Sequence, residues 1–162
     1  MKKIYVIQLI ALLLSLTASA ERWQGTVALT LTDADGVSLS RNAVATFDDA
    51  TSIVTLGNGY NACISHYEEG SISIPGTYEN GGITYTVEIG SMAFRFCNHL
   101  TAVTVSEGVT KIGSYAFVGC ASMTTVRLPA TLNPSILFIC YFIQIKIHKI
   151  ITYINPNYSQ YR

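Results

Sequence analysis

Charge is scarce in this chain. Only 12% of its 162 residues are Asp, Glu, Lys or Arg, ten acidic and ten basic. Set against 49% apolar residues, that scarcity excludes a disordered polar tail and a highly charged nucleic-acid binder. The cancellation is uneven as well. Between Glu21 and Pro134 lie five basic residues and all ten acidic ones, so this segment carries −5 and offers no surface for tracking phosphates. Apolar runs of the roughly 20 residues needed to cross a bilayer are also lacking, so no stable membrane span is expected. Cysteine is limited to Cys63, Cys97, Cys120 and Cys140, which are widely spaced along the chain. That spacing excludes a zinc site. His66, His99 and His148 have no Ser/Asp or Cys/Asn context for nucleophilic catalysis. Asp33-Ala34-Asp35-Gly36 resembles the start of a calcium loop but lacks the later oxygen ligands, so it reads as a turn. No metal, no cofactor and no catalysis are expected.

What is present begins with an address. Met1-Lys2-Lys3 is positive, Ile4 to Leu16 is apolar except for Gln8 and Ser15, and Ala18-Ser19-Ala20 is a run of small residues. This order predicts a secretory signal peptide over residues 1–20, cleaved after Ala20. The remaining chain is then expected to be secreted or displayed at the cell surface, where thiols can be oxidised.

An internal repeat follows. Ile89-Gly-Ser-Met-Ala-Phe-Arg-Phe-Cys-Asn-His-Leu-Thr-Ala-Val-Thr-Val105 aligns without gaps on Ile112-Gly-Ser-Tyr-Ala-Phe-Val-Gly-Cys-Ala-Ser-Met-Thr-Thr-Val-Arg-Leu128. Extended to Val109 and Leu132, eight of twenty-one positions are identical, and the changes at Leu100/Met123, Val105/Leu128 and Val109/Leu132 keep apolar character. Leu100-x-x-Val103-x-Val105 and Met123-x-x-Val126-x-Leu128 predict short strands with apolar side chains on one face. Thr104 and Arg127 then point the other way. In Ile-Gly-x-x-Ala-Phe, glycine permits a turn, alanine a close approach, and Phe94 and Phe117 fill the space between successive units. One such unit cannot bury its own apolar edge, so stacking is expected.

These residues resemble the BspA-type leucine-rich repeat of bacterial surface proteins, specifically over Ile89 to Leu132. The resemblance implies a mainly β fold, a short leucine-rich-repeat solenoid of two full 23-residue repeats closed by an N-terminal β-rich cap. It also implies adhesion-type binding of a protein or host-matrix macromolecule, without catalysis. The domain reading is a β-rich cap over 21–70 and a repeat region over 71–133, with a hairpin insertion near 76–88 where Asn80-Gly81-Gly82 precedes the alternating Ile83, Tyr85, Val87 and Ile89. The cap is inferred from alternating runs at Thr26–Thr32, Ala43–Phe47 and Ser52–Leu56, separated by turn residues. Side chains beside the repeat strands, Thr101, Ala102, Thr104, Thr124, Thr125 and Arg127, are the expected binding face. Cys97 and Cys120 occupy matching positions and are expected as reduced, buried thiols, because stacked side chains point in parallel.

Where a third unit would begin, at Ser135, the composition changes. Ser135 to Arg162 holds eight isoleucines and four tyrosines in twenty-eight residues and no Gly, Ala, Val, Asp or Glu, the five types whose codons begin with G. This pattern predicts an atypical tail over 134–162 that arises from a frameshift or read-through. Its corollary is that the chain is a truncated remnant of a longer repeat protein, with self-association possible through its open end. A hydrolase using carboxylates of the N-terminal segment is the weakest alternative, since no site supports it.

Overall fold

The computed structural model describes residues 21–130 and Leu132. The expected signal peptide and the Ile/Tyr-rich tail both lie outside these residues. All regular elements described are strands: β1 (Arg22–Thr32), β2 (Ser38–Asp48), β3 (Ile53–Leu56), β4 (Gly70–Ile74), β5 (Thr77–Asn80), β6 (Ile83–Ile89), β7 (Leu100–Val105) and β8 (Thr125–Arg127). They form one eight-stranded sheet in the order β5-β6-β3-β2-β1-β4-β7-β8.

Alternation explains the longest strands. In β1, Val27, Leu29 and Leu31 are buried while Thr26, Ala28 and Thr30 are exposed, and β2 answers with buried Ala43, Ala45 and Phe47. The two pair antiparallel from Arg22↔Asp48 to Thr32↔Ser38, in register throughout. Outside this hairpin the sheet becomes largely parallel. On one side β3 runs parallel to β6, and on the other β4, β7 and β8 run parallel in turn. At one edge, β5 and β6 form a hairpin whose turn, Gly81-Gly82, has φ of 57° and 82°, left-handed values that glycine adopts without penalty.

The two flanks curve toward each other. A parallel bridge joins Ile89, at the end of β6, to Ile112 on the segment leading to β8, so the sheet curls almost into a closed half-barrel. The connecting segments fill its interior. Cys63, Phe94, Cys97, Phe117 and Cys120 are all buried in one core with Leu29, Phe47, Ile72, Val87 and Val103. Phe94 and Phe117, equivalent residues of the two repeats, stack with ring centroids 5.1 Å apart and planes 7° from parallel.

The architecture corrects the expected solenoid with a terminal cap. The N-terminal strands do not close the end of a ladder. They are the centre of the sheet, β2 pairing with β3 and β1 with β4, so they join both parallel flanks into one curled surface. The physical reason is hydrogen-bond demand: without β1 and β2, the edges of β3 and β4 that face them would be unpaired, and two 11-residue strands are long enough to cover both.

An aromatic layer closes the end near the start of β1. Trp23 stacks on Phe47 at 4.1 Å, and Tyr85 meets Phe47 edge-on at 5.0 Å. The Trp23 indole N–H and the Tyr85 hydroxyl both donate to Asp49 Oδ1, at 3.0 and 2.7 Å. That hydrogen bond to a carboxylate, together with burial, pushes the Tyr85 hydroxyl up to about 12.

Candidate functional site

The six side chains expected to bind lie on β7, β8 and the residue just before β8. Thr101, Thr124 and Arg127 are exposed, and Ala102, Thr104 and Thr125 are half-buried. Register sets equivalent positions of the two repeats side by side, Ala102 beside Thr125 and Thr104 beside Arg127, while Val103 and Val126 face the core between them.

Thr101 differs from the rest. The β4–β7 register shifts between Gly70 and Ser71, with Gly70 opposite Leu100 and Ser71 opposite Ala102, so Thr101 is the extra residue of a bulge. The bulge explains the Leu100-x-x-Val103-x-Val105 spacing. A strict alternation would turn Leu100 outward; one added residue returns it to the core, where it is buried with Val103 and Val105. The Thr101 carbonyl then accepts from the Thr124 backbone N–H at 2.8 Å and from the Thr124 hydroxyl at 3.2 Å. The Thr124 hydroxyl is therefore partly committed inside the protein.

Tertiary structure extends this face beyond what local sequence indicated. Ser71 lies opposite Ala102 and Ser73 opposite Thr104, and on their other side stand Thr32 and Thr30 of β1. Beyond those come Ser38 and Ser40 of β2. One row across five strands thus reads Arg127, Thr104, Ser73, Thr30, Ser40, beside a second row of Thr125, Ala102, Ser71, Thr32, Ser38. Thr32 and Ser38 share a hydroxyl hydrogen bond of 2.9 Å. Ser-Ile-Ser-Ile and Thr-Leu-Thr signal outward hydroxyls in the sequence, but nothing local says that they adjoin β7.

The surface is short of charge. Arg22, Arg41 and Lys111 are paired with Asp48, Glu68 and Glu88 at 2.8, 2.8 and 3.1 Å. Arg95 and Arg127 form no ion pair among the described residues. Arg127 is thus the one charged side chain of the two hydroxyl rows. Such a face can hydrogen-bond, pack methyl groups and pair with one anion.

The buried thiols belong to the core and not to this face. Cys63, Cys97 and Cys120 are free, and the Cys120 thiol donates to the Phe94 carbonyl at 3.1 Å. Burial pushes all three up, Cys97 to about 12 and Cys120 to about 11, which suppresses the nucleophilic thiolate. His66 and His99 are exposed. Among the described residues no group of three or more His, Cys, Asp or Glu could hold a metal ion, and no helix is long and apolar enough to cross a membrane.

The sequence profile of the BspA type leucine rich repeat region (6 copies) matches residues 79–160, which is half of the 162-residue chain. No curated protein and no solved structure matches the chain. The matched region contains both repeat units, β6 to β8 and the Phe94–Phe117 stack. Proteins of this type are non-catalytic adhesion modules that make protein contacts and are typically surface-associated or secreted. The chain belongs to the BspA-type leucine-rich repeat family.

Proposed function

We propose that this chain is a secreted or surface-displayed binding protein that docks a protein or host-matrix macromolecule on the outer face of β7 and β8. Thr101, Ala102, Thr104, Thr124, Thr125 and Arg127 are its contact residues, continued by Ser71 and Ser73 of β4. The observation that carries the reading is Arg127, a cation with no carboxylate partner among the described residues, at the rim of an otherwise uncharged hydroxyl surface. A desolvated arginine flanked by small polar groups is a common anchor in protein interfaces. The charged, apolar and small-residue order of residues 1–20 supports export.

The test combines Arg127→Glu with Thr104→Tyr and Thr125→Tyr. Binding of the labelled chain to immobilised extracellular-matrix proteins should fall at least tenfold, or about 1.4 kcal/mol. The circular dichroism spectrum and melting temperature should stay unchanged, because the altered side chains point away from the core. Undiminished binding by the triple variant defeats the strand-face reading.

A further inference from the structure

The sequence holds two Asn-Gly pairs, Asn58-Gly59 and Asn80-Gly81, and the fold treats them differently. Asparagine is chemically labile where the next backbone nitrogen can reach its side-chain amide, and glycine, without a Cβ, leaves that nitrogen unshielded. Asn80 is held in the ladder: it closes β5, paired with Ile83 across the Gly81-Gly82 turn. Asn58 lies outside every strand, in the exposed run 58–61 between β3 and β4. No strand pairing fixes its backbone against the rotation that brings the Gly59 nitrogen onto the side chain.

The Asn58 amide is polarised for that reaction. Its Oδ1 accepts the backbone N–H groups of Tyr60 and Asn61 at 3.0 and 3.1 Å. Both partners are donors, so the atom they hold is the carbonyl oxygen, and the amide nitrogen, the leaving group, stays clear of them. Two donors on one carbonyl oxygen draw charge from Cγ. They are aimed at the atom that becomes negative when Cγ is attacked, which is the arrangement of an oxyanion hole. Gly59 has φ of 83°, and a Cβ built on it would meet no heavy atom within 4 Å. Its N–H makes no hydrogen bond among the described residues, so solvent reaches it.

We infer that Asn58-Gly59 is a self-modifying site, at which the folded chain turns Asn58 into aspartate or isoaspartate without an enzyme. Hydroxide takes the Gly59 amide proton, and the nitrogen lone pair forms a bond to Asn58 Cγ. The tetrahedral carbon then expels Nδ2, which leaves as ammonia with a proton from water, and a succinimide ring remains. Water opens the ring by adding at Cγ, which gives aspartate, or at the Asn58 backbone carbonyl carbon, which gives isoaspartate. The sum is amide plus water to carboxylic acid plus ammonia, with no change of oxidation state. In the aspartate product the carboxylate keeps the Tyr60 and Asn61 donors, and it adds one negative charge to a segment that carries −5.

The experiment incubates the full chain, folded and in denaturant, in mildly alkaline buffer. Cleavage after Glu68, Glu69 and Glu79 parts Asn58 from Asn80, and tandem mass spectrometry follows both. In the folded chain Asn58 should convert at least about tenfold faster than Asn80, and faster still as pH rises, whereas in denaturant the two should converge. Asn61→Pro removes one of the two donors and should slow Asn58 severalfold in the folded chain without slowing it in denaturant. An Asn58 that keeps its amide, an Asn80 that keeps pace with it in the folded chain, a gap that persists in denaturant, or an Asn61→Pro variant that reacts like the wild type would overturn the inference.

Discussion

The β1–β2 hairpin and the paired turns at 90–97 and 113–120 bury apolar surface by opposite means. In the hairpin, two 11-residue strands pair without interruption, and the load is spread over a long ladder of backbone hydrogen bonds and small buried residues such as Val27, Ala43 and Ala45. In the turns the ladder is short, three backbone hydrogen bonds from Met92, Phe94 and Phe96 to Ser114, Ala116 and Val118. Their packing is concentrated in a few side chains, chiefly the stacked Phe94 and Phe117 and the thiols of Cys97 and Cys120. The contrast teaches that an exposed residue of the hairpin is replaceable, whereas a filler of the turns is not.

The largest expected effect is at the stack. Phe94→Ala should destabilise the protein by about 3–5 kcal/mol, because a fully buried ring is lost and Phe117 is left beside a cavity. Thr26→Ala, on the exposed side of β1, should change stability by under about 0.5 kcal/mol. Chemical denaturation of the two variants checks both values. Comparable losses would erase the distinction between the regions.

An intermediate effect comes from pH. The folded protein holds the Cys97 and Cys120 protons more tightly than the unfolded chain, whose thiols titrate near 9. Stability is therefore fully present below pH 9 and falls as pH rises through 9 toward 11 and 12. On the order of 2 kcal/mol per thiol should be lost between pH 9 and pH 11, measured as the shift of the denaturation midpoint. A Cys120→Ala variant should show a shallower fall. If its pH dependence matches the wild type, Cys120 is not responsible. The smallest effects belong to the surface pairs: Arg22→Ala and Lys111→Ala should each cost under about 1 kcal/mol and should matter less still at high salt.

Much of the local structure is readable from residues. Alternation in Thr26–Thr32 and Ala43–Phe47 marks strands, and Gly81-Gly82 marks a tight turn, because both depend on neighbours along the chain. The repeat offset likewise appears in space as Val103 beside Val126 and Phe94 beside Phe117. What misleads is the block before the repeats. Its runs fit any antiparallel arrangement, and a cap is the simplest assignment because nothing nearby shows that Thr30 pairs with Ser73 or Ile53 with Thr86. The offset between β3 and β6, set by Ile53↔Thr86, also differs from the repeat offset, so this parallel pairing escapes a search for one fixed period. Leu100-x-x-Val103 contains a further signal, a three-residue step inside a two-residue alternation, which is the mark of the bulge at Thr101.

The sequence alone determined which residues turn inward, where the chain bends and which side chains recur from one unit to the next, since those follow from side-chain period, glycine and apolar matching. Only the tertiary structure decided that β1 and β2 stand at the centre of one curled sheet, and that the serines of β4 and β2 extend the row begun by Thr104 and Arg127. Strand partnership is chosen by unsatisfied backbone edges far apart in the chain, and no side chain encodes its distant neighbour by itself.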